Sequence, residues 1–166
     1  MRKGWLLVPA FALALGAGIG LGMYLAQPHG DAALGDEAIS SHVRATLGGH
    51  LVQIASTDPH MLKPWLSARL AFSPTVVDFA QDGFPLEGGR VDYLGGQAAA
   101  ALVYKRRQYL IDVFIIAGGG DSVQAHSAQN GFNLERFAAG GMRYWVVSDL
   151  NRNELADFAR MLASRR

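Results

Sequence analysis

The longest apolar stretch of the sequence lies near its N-terminus, from Trp5 to Ala26. Its 22 residues are all apolar or glycine apart from Pro9, and no charged side chain occurs between Lys3 and Asp31. As an α-helix this stretch is roughly 30 Å long at about 1.5 Å per residue, which matches the hydrocarbon core of a bilayer. The pattern therefore predicts a single N-terminal transmembrane helix.

A cleaved signal peptide also begins with basic residues before an apolar segment. The run here exceeds the usual roughly 7 to 15 residues of such a segment, and it ends on Tyr24 and Gln27-Pro28, where a peptidase needs small residues. These features favour an uncleaved anchor. A small-x-small site at Gly30-Asp31-Ala32 leaves cleavage as an open alternative.

The orientation of the anchor follows from its flanking charges. Arg2 and Lys3 are expected to stay in the cytoplasm, which puts everything after Pro28 outside. We expect a single-pass membrane protein. Its predicted parts are a cytoplasmic stub with the transmembrane helix (residues 1–28), a linker (29–35) and an outer α+β domain (36–166).

Four glycines within the predicted span form two Gly-x-x-x-Gly pairs, Gly16 with Gly20 and Gly18 with Gly22. Such pairs let two helices approach closely in a membrane, so a homodimer is one hypothesis. Glycine is also frequent in membrane spans generally, so these pairs could equally have no role in dimerisation.

Beyond the linker, the hydrophobic pattern alternates between helical and strand periods. Apolar residues recur every four positions from Asp36 to Leu47, which predicts an amphipathic helix, and Lys63-Pro64 predicts a second helix from Pro64 to about Leu70, with Trp65 and Leu66 facing inward. Alternating or continuously apolar segments predict six strands. These are His50–Ala55, Leu86–Leu94, Gln97–Tyr104, Tyr109–Ala117, Phe132–Phe137 and Met142–Ser148.

The last helix has the clearest start signal in the chain. Asn151 is a good N-cap, and Glu154 stands three residues later, where a capping box places it. Leu155, Phe158 and Leu162 then form one apolar stripe. The fold class expected is α+β, with the transmembrane helix followed by an antiparallel sheet of five or six strands and two or three helices packed on it, largely on one face.

Composition excludes several classes of site. The chain has no cysteine, so it holds no disulfide, thiolate zinc site or cysteine nucleophile. Without Arg2 and Lys3, 13 of the 15 basic residues remain against 14 acidic ones. The domain thus lacks the positive excess of a nucleic-acid-binding protein, and we expect no nucleic-acid partner.

Motifs for catalysis are weak. Gly120 to Gln124 resembles a serine-nucleophile elbow without its final glycine, and a serine enzyme would need Ser122, His126 and an acid to converge. His42, His50 and His60 are close in sequence, but their spacing is not diagnostic of a metal site. The basic cluster Lys105-Arg106-Arg107 suits an anionic partner or simply a soluble hairpin tip. We predict no catalytic residue, no metal and no cofactor.

A series of short motifs follows in order along the chain. They are Asp58-Pro59-His60-Met61-Leu62-Lys63-Pro64-Trp65, Phe72-Ser73-Pro74, Gly83-Phe84-Pro85-Leu86, Gly88-Gly89-Arg90-Val91-Asp92-Tyr93-Leu94, Ala100-Ala101-Leu102-Val103-Tyr104-Lys105-Arg106, Asn130-Gly131-Phe132-Asn133 and Tyr144-Trp145-Val146-Val147-Ser148-Asp149-Leu150-Asn151. Taken together, these motifs resemble the extracytoplasmic half of membrane-spanning anti-sigma factors of proteobacteria, over roughly His42 to Phe158. The resemblance implies an anchor in the inner membrane and a periplasmic sensor domain (36–166).

The resemblance implies a non-enzymatic sensor that controls an extracytoplasmic-function sigma factor in response to an envelope or oxidative signal. Family members hold the sigma factor with a cytoplasmic domain, commonly zinc-binding. No residue here matches that domain, so a sigma-factor partner would be reached through a missing or separate cytoplasmic domain. The alternative is a tethered periplasmic ligand- or metal-binding protein unrelated to transcription.

A ligand of the sensor is expected between the Trp65 helix and the sheet. Trp65 offers an aromatic surface there, and Lys63 or Arg90 offers a positive charge for an anion. Lys63, Trp65 and Arg90 are therefore the candidate ligand-binding residues.

Overall fold

The computed structural model describes residues 30–165. The predicted membrane span, its glycine pairs and His29 lie outside these residues. Among the helices of the described part, none is long and apolar enough to cross a membrane.

The described chain is an α+β domain with seven antiparallel strands and three α-helices. The helices are α1 (Asp31–Gly48), α2 (Pro59–Ser67) and α3 (Arg152–Ser164), and a 3-10 turn spans Ala80–Asp82. The strands are β1 (Ile54–Ala55), β2 (Leu86–Leu94), β3 (Gln97–Arg106), β4 (Tyr109–Ala117), β5 (Ser122–Gln129), β6 (Phe132–Ala139) and β7 (Met142–Ser148). The predicted α+β class with an antiparallel sheet is confirmed for the described residues, but the sheet has one strand more than the upper estimate of six.

The strand order is β1-β2-β3-β4-β7-β6-β5, so two meanders meet where β4 pairs with β7. The chain crosses from β4 to β5 over the ends of β7 and β6, a distance of about 14 Å at roughly 4.8 Å per strand. The five steps from Ala117 to Ser122 span at most about 18 Å, so this connection runs nearly extended. Gly118 and Gly119, at φ of 105° and 93°, supply the backbone conformations that it requires.

Helices cover both faces of the sheet, which corrects the prediction of helices largely on one face. Helices α2 and α3 pack on the face that carries Leu102, Ile111 and Val146. Helix α1 packs on the opposite face, against Phe114 and Trp145. Strands β3 and β4 are continuously apolar because they are buried on both sides.

Helix α1 begins at Asp31, five residues before the predicted start, so residues 31–35 of the predicted linker are helical. The small residues that suggested a linker allow close packing instead. A Cβ added to Gly35 would lie 2.7 Å from Cδ2 of Leu134 on β6. Leu34 and Gly35 are buried there, and this burial outweighs the weak helix propensity of the segment.

Two predicted bounds near α2 are wrong. The helix begins at Pro59 rather than Pro64, because Asp58 caps it by accepting a hydrogen bond from the backbone N–H of His60 at 2.8 Å. Pro64 lies inside the helix, and the burial of Leu62 and Leu66 on the same face outweighs the lost backbone hydrogen bond. The predicted strand His50–Ala55 is reduced to the two residues of β1.

Strand β5 has no counterpart among the predicted strands. It is an edge strand, pairing only with β6 among the described residues, and most of its side chains are half-buried or exposed. Its sequence from Ser122 to Gln129 therefore has no apolar alternation that could predict it.

Candidate functional site

The most polar buried region lies between α1 and the sheet. We call it the buried ionic cluster: Ser41 and His42 on α1, Arg90 and Asp92 on β2, and Asp112 on β4. Arg90 and Asp112 are 5% and 0% exposed. The cluster joins three elements that are far apart in the sequence.

Arg90 is the centre of this cluster. Its Nη2 donates to Oδ2 of Asp112 at 2.7 Å, and its Nε donates to Oδ2 of Asp92 at 3.0 Å. Its Nη1 donates to the backbone carbonyl of Leu51 at 2.9 Å. The guanidinium thus satisfies two carboxylates and the loop that follows α1, with hydrogen bonds of the strong, charge-assisted kind.

Helix α1 contributes two contacts to the cluster. Ser41 Oγ donates to Oδ2 of Asp92 at 2.6 Å, and Nδ1 of His42 lies 3.3 Å from Oδ2 of Asp112. The second contact has an ion-pair distance, but His42 Nδ1 makes no hydrogen bond of good geometry among the described residues. The other carboxylate oxygen, Oδ1 of Asp112, has no hydrogen-bond partner there either. The His42 ring also meets Phe132 edge-on, with centroids 5.5 Å apart.

The electrostatics of the cluster favour its charged state. Burial by itself raises the pKa of Asp112, but the contact with His42 and the charge and hydrogen bond of Arg90 outweigh it, so that this pKa lies below its usual value. Burial likewise lowers the pKa of Arg90, and Asp112 and Asp92 together raise it above its usual value. Asp112 and Arg90 therefore remain an ion pair at neutral pH.

A cavity of about 200 Å³ opens beside this cluster, with His42 in its wall. Val43, Leu110 and Phe132 make much of the remaining lining apolar, and Leu47 at its edge is 83% exposed. The contacts of Ser41 and His42 with Asp92 and Asp112 connect α1 to β2 and β4. His42 also lines the cavity, where a small molecule could contact it.

The structure separates the three candidate ligand-binding residues. Gly89 faces α2, since a Cβ there would lie 3.2 Å from Cδ1 of Leu62, and the next residue, Arg90, therefore points to the α1 face. Lys63 is exposed on α2 and lines a shallow cavity, and Trp65 is half-buried on the same helix. Arg90 therefore does not lie between α2 and the sheet as expected, while Lys63 and Trp65 stay predictions as ligand-binding residues.

Two of the three basic residues at the β3–β4 hairpin, Arg106 and Arg107, share one carboxylate. Nη2 of Arg107 donates to Oε1 of Glu154 at 2.8 Å, and Nε of Arg106 donates to Oε2 at 3.1 Å. These hydrogen bonds hold the pKa of Glu154 below its usual value. Asn151 caps α3 as predicted, with its side chain accepting from the N–H groups of Asn153 and Glu154, but the Glu154 carboxylate binds the two arginines.

The serine, histidine and acid constellation does not form on β5. Ser122 is the register partner of Ala138, and His126 is the partner of Glu135. Ala138 and Glu135 are three residues apart on β6, so they and their partners face opposite sides of the sheet. His126 Nδ1 instead lies 2.9 Å from Oε1 of Glu135. His50 and His60 are exposed. Within residues 30–165, no group of three or more side chains suited to a metal ion occurs.

Asp112 is the important residue of the cluster that motif reasoning did not select. It is the single charged residue in the apolar strand Tyr109–Ala117, and a lone carboxylate in a strand buried on both faces needs a buried partner. That signal predicts a partner but cannot name it.

The comparisons with known proteins add no assignment. No protein-family model, curated protein or solved structure matches this chain.

Proposed function

We propose that this chain is a membrane-anchored periplasmic regulatory domain of the anti-sigma type. It is a sensor rather than an enzyme, and it controls an extracytoplasmic-function sigma factor through a separate or missing cytoplasmic domain. The proposal rests on the motifs from His42 to Phe158 and on the apolar, charge-free stretch that precedes Asp31.

The observation that best supports a signalling role is the way α1 is held. Helix α1 begins at Asp31, three residues after the end of the predicted anchor, and it is bound to the sheet by buried polar contacts as well as by apolar packing. Glu37 accepts from the backbone N–H of Gly95 at 2.7 Å, and Ser41 and His42 contact the carboxylates of Asp92 and Asp112. Such contacts depend on geometry more steeply than apolar packing does, so α1 is the element best suited to pass a change in the domain to the anchor.

The membrane topology is testable because the chain has no cysteine of its own. We expect Thr57→Cys, on an exposed loop, to react with a membrane-impermeant maleimide in spheroplasts. Gly4→Cys, before the predicted span and without loss of Arg2 or Lys3, is expected to react only after lysis. Equal labelling of Gly4→Cys and Thr57→Cys before lysis, or protection of Thr57→Cys, contradicts the proposed orientation.

The regulatory role is testable by transcript profiling. Deleting the gene is expected to raise the transcripts of one sigma-factor regulon under envelope or oxidative stress, because the restraint on that sigma factor is weakened. Complementation with the full chain should restore the level, and a secreted form of residues 30–166 without the anchor should not. An unchanged transcriptome under all stresses tested rejects the regulatory role.

A second candidate function is a tethered ligand-binding protein unrelated to transcription. It is favoured by a polar hollow of about 240 Å³ on the α1 face of the sheet, lined by Arg136 and Arg143. A specific ligand combined with an unchanged transcriptome supports this candidate over the first.

A further inference from the structure

A hollow of about 240 Å³ lies over β5, β6 and β7, on the same face as α1. Cross-strand partners share a face of the sheet, and two neighbouring rows of such partners form its floor. One row is Ala125, Arg136 and Trp145, and the other is Ser122, Ala138 and Arg143.

The hollow exists because short side chains lie between long ones. Ala125 on β5 and Ala138 on β6 are short, so space is left between the longer side chains of Arg136, Arg143 and Trp145 that also line the hollow. Asp31, the first residue of α1, stands at the rim. The start of helix α1 therefore lies at the edge of the hollow, and the positive end of its dipole is beside it.

The side chains around the hollow carry hydrogen-bond donors without acceptors. Trp145 is 2% exposed, and its indole Nε1 has no hydrogen-bond partner in the described part of the chain. The same holds for the buried Nε of Arg143. A buried donor without an acceptor is unfavourable, so these two groups require an acceptor from outside the described residues.

The charges around the hollow are only partly compensated. Within residues 30–165, the side chain of Arg136 makes no ion pair or hydrogen bond, although its backbone is paired in the sheet. Arg143 has one carboxylate nearby, Oδ1 of Asp31, at 3.6 Å from its Nη1, and the Asp31 side chain is 58% exposed. The Arg143 guanidinium lies 5.4 Å from the centre of the Trp145 ring, which keeps the cation and the indole together.

We propose that this hollow binds an oxyanion, a phosphate or carboxylate group, held by Arg136, Arg143 and the indole N–H of Trp145. Arginine guanidinium groups match the geometry of such anions, and the indole supplies a directed neutral donor. A free anion and the headgroup of an anionic lipid share this chemistry. The proposal goes beyond the regulatory function and does not depend on it, because binding is measured on the purified chain.

The test uses the full chain in zwitterionic detergent, followed by the indole N–H resonances of its tryptophans. Inorganic phosphate, succinate and phosphatidylglycerol in mixed micelles are titrated separately, with chloride at equal ionic strength as the control. We expect a saturable shift of the Trp145 resonance, which Trp145→Phe identifies by its disappearance. The Trp65 resonance, on the other face of the sheet, should not shift. A response to phosphate or succinate identifies a free anion, and a response to phosphatidylglycerol alone identifies a lipid headgroup.

Three variants and one control test the assignment of the site. Arg136→Gln and Arg143→Gln should each weaken binding at least about tenfold, because each removes a charged donor. Ala125→Leu should also abolish the shift, because it fills the hollow without removing a charge. Arg69→Gln, which alters an arginine stacked on Trp65 instead, should bind normally. Unchanged affinity in all three variants, or no saturable shift with any anion in the wild type, overturns the proposal.

Discussion

Replacing Asp112 by asparagine is expected to lower the free energy of unfolding by about 3 kcal/mol, because it breaks a buried ion pair from one side. Arg90 would keep its charge at 5% exposure and retain only Asp92, whose side chain is 19% exposed, as a carboxylate partner. The amide oxygen of the new side chain can still accept from the guanidinium, but it carries no negative charge to compensate it. Urea denaturation of the chain in zwitterionic detergent measures the loss.

An exposed pair on α3 supplies the matched control. Asp157→Asn removes a carboxylate that binds Arg160 at the surface, and it should change stability by less than about 0.5 kcal/mol. The double variant Arg90→Gln with Asp112→Asn should lose clearly less than the sum of the two single variants, since the two side chains form one unit. Additive losses would show that Asp112 and Arg90 do not stabilise each other.

The effect of Asp112→Asn should depend on pH. The pKa of Asp112 lies below its usual value in the folded chain, so the unfolded chain binds this proton first as the pH falls. The ionised carboxylate therefore contributes its full stabilisation well above pH 4, and this contribution is lost as the pH falls below about 4. The difference in the free energy of unfolding between the wild type and Asp112→Asn should become smaller as the pH falls below about 4. A difference that stays constant down to pH 3 contradicts the assignment.

Replacing Phe158 by alanine is expected to cost about 4 kcal/mol of stability. Phe158 is the aromatic centre of the face that carries α3: its ring stacks on Phe84 at 4.7 Å and meets Tyr104 and Phe79 at 5.0 and 5.7 Å. These partners belong to the 3-10 region and to β3. A shift of α3 alone therefore cannot close the cavity that the alanine leaves. The loss combines the missing apolar burial with that cavity.

Leu47→Ala is the control for this variant. Leu47 is 83% exposed at the end of α1, and its truncation should change stability by less than about 0.5 kcal/mol. The same urea titration measures both variants. A loss below about 1.5 kcal/mol for Phe158→Ala would mean that this core relaxes around the deletion.

Helices and strands whose burial follows from a local hydrophobic pattern were predicted correctly from the sequence. The bounds predicted for Leu86–Leu94, Tyr109–Ala117 and Met142–Ser148 are confirmed residue by residue. The capping of α3 by Asn151 is also confirmed. In each case the deciding interactions are alternation, a turn or a cap within a few residues of the chain, and these can be read directly.

The candidate sites could not be assembled in this way, because their partners are distant in the sequence. Arg90 and Asp112 are 22 residues apart, and Ser41 and Asp92 are 51 apart. Arg90 was expected on the α2 face of the sheet, near Trp65 and with Lys63 as the alternative cation. The pleat of β2 turns Arg90 to the other face, where α1 brings His42 to Asp112.

The sequence by itself determined the α+β class, most strand positions, the start of the last helix and the exclusion of cysteine chemistry, because these depend on local periodicity and composition. Only the tertiary structure decided which face each helix covers, that polar residues 122–129 form an edge strand, and that Arg90 and Asp112 pair beneath α1. The physical reason is that a sheet pairs residues by register and face. Asp112, a single charged residue in an apolar strand, indicates that a buried partner is needed. Only the packed fold shows that this partner is Arg90.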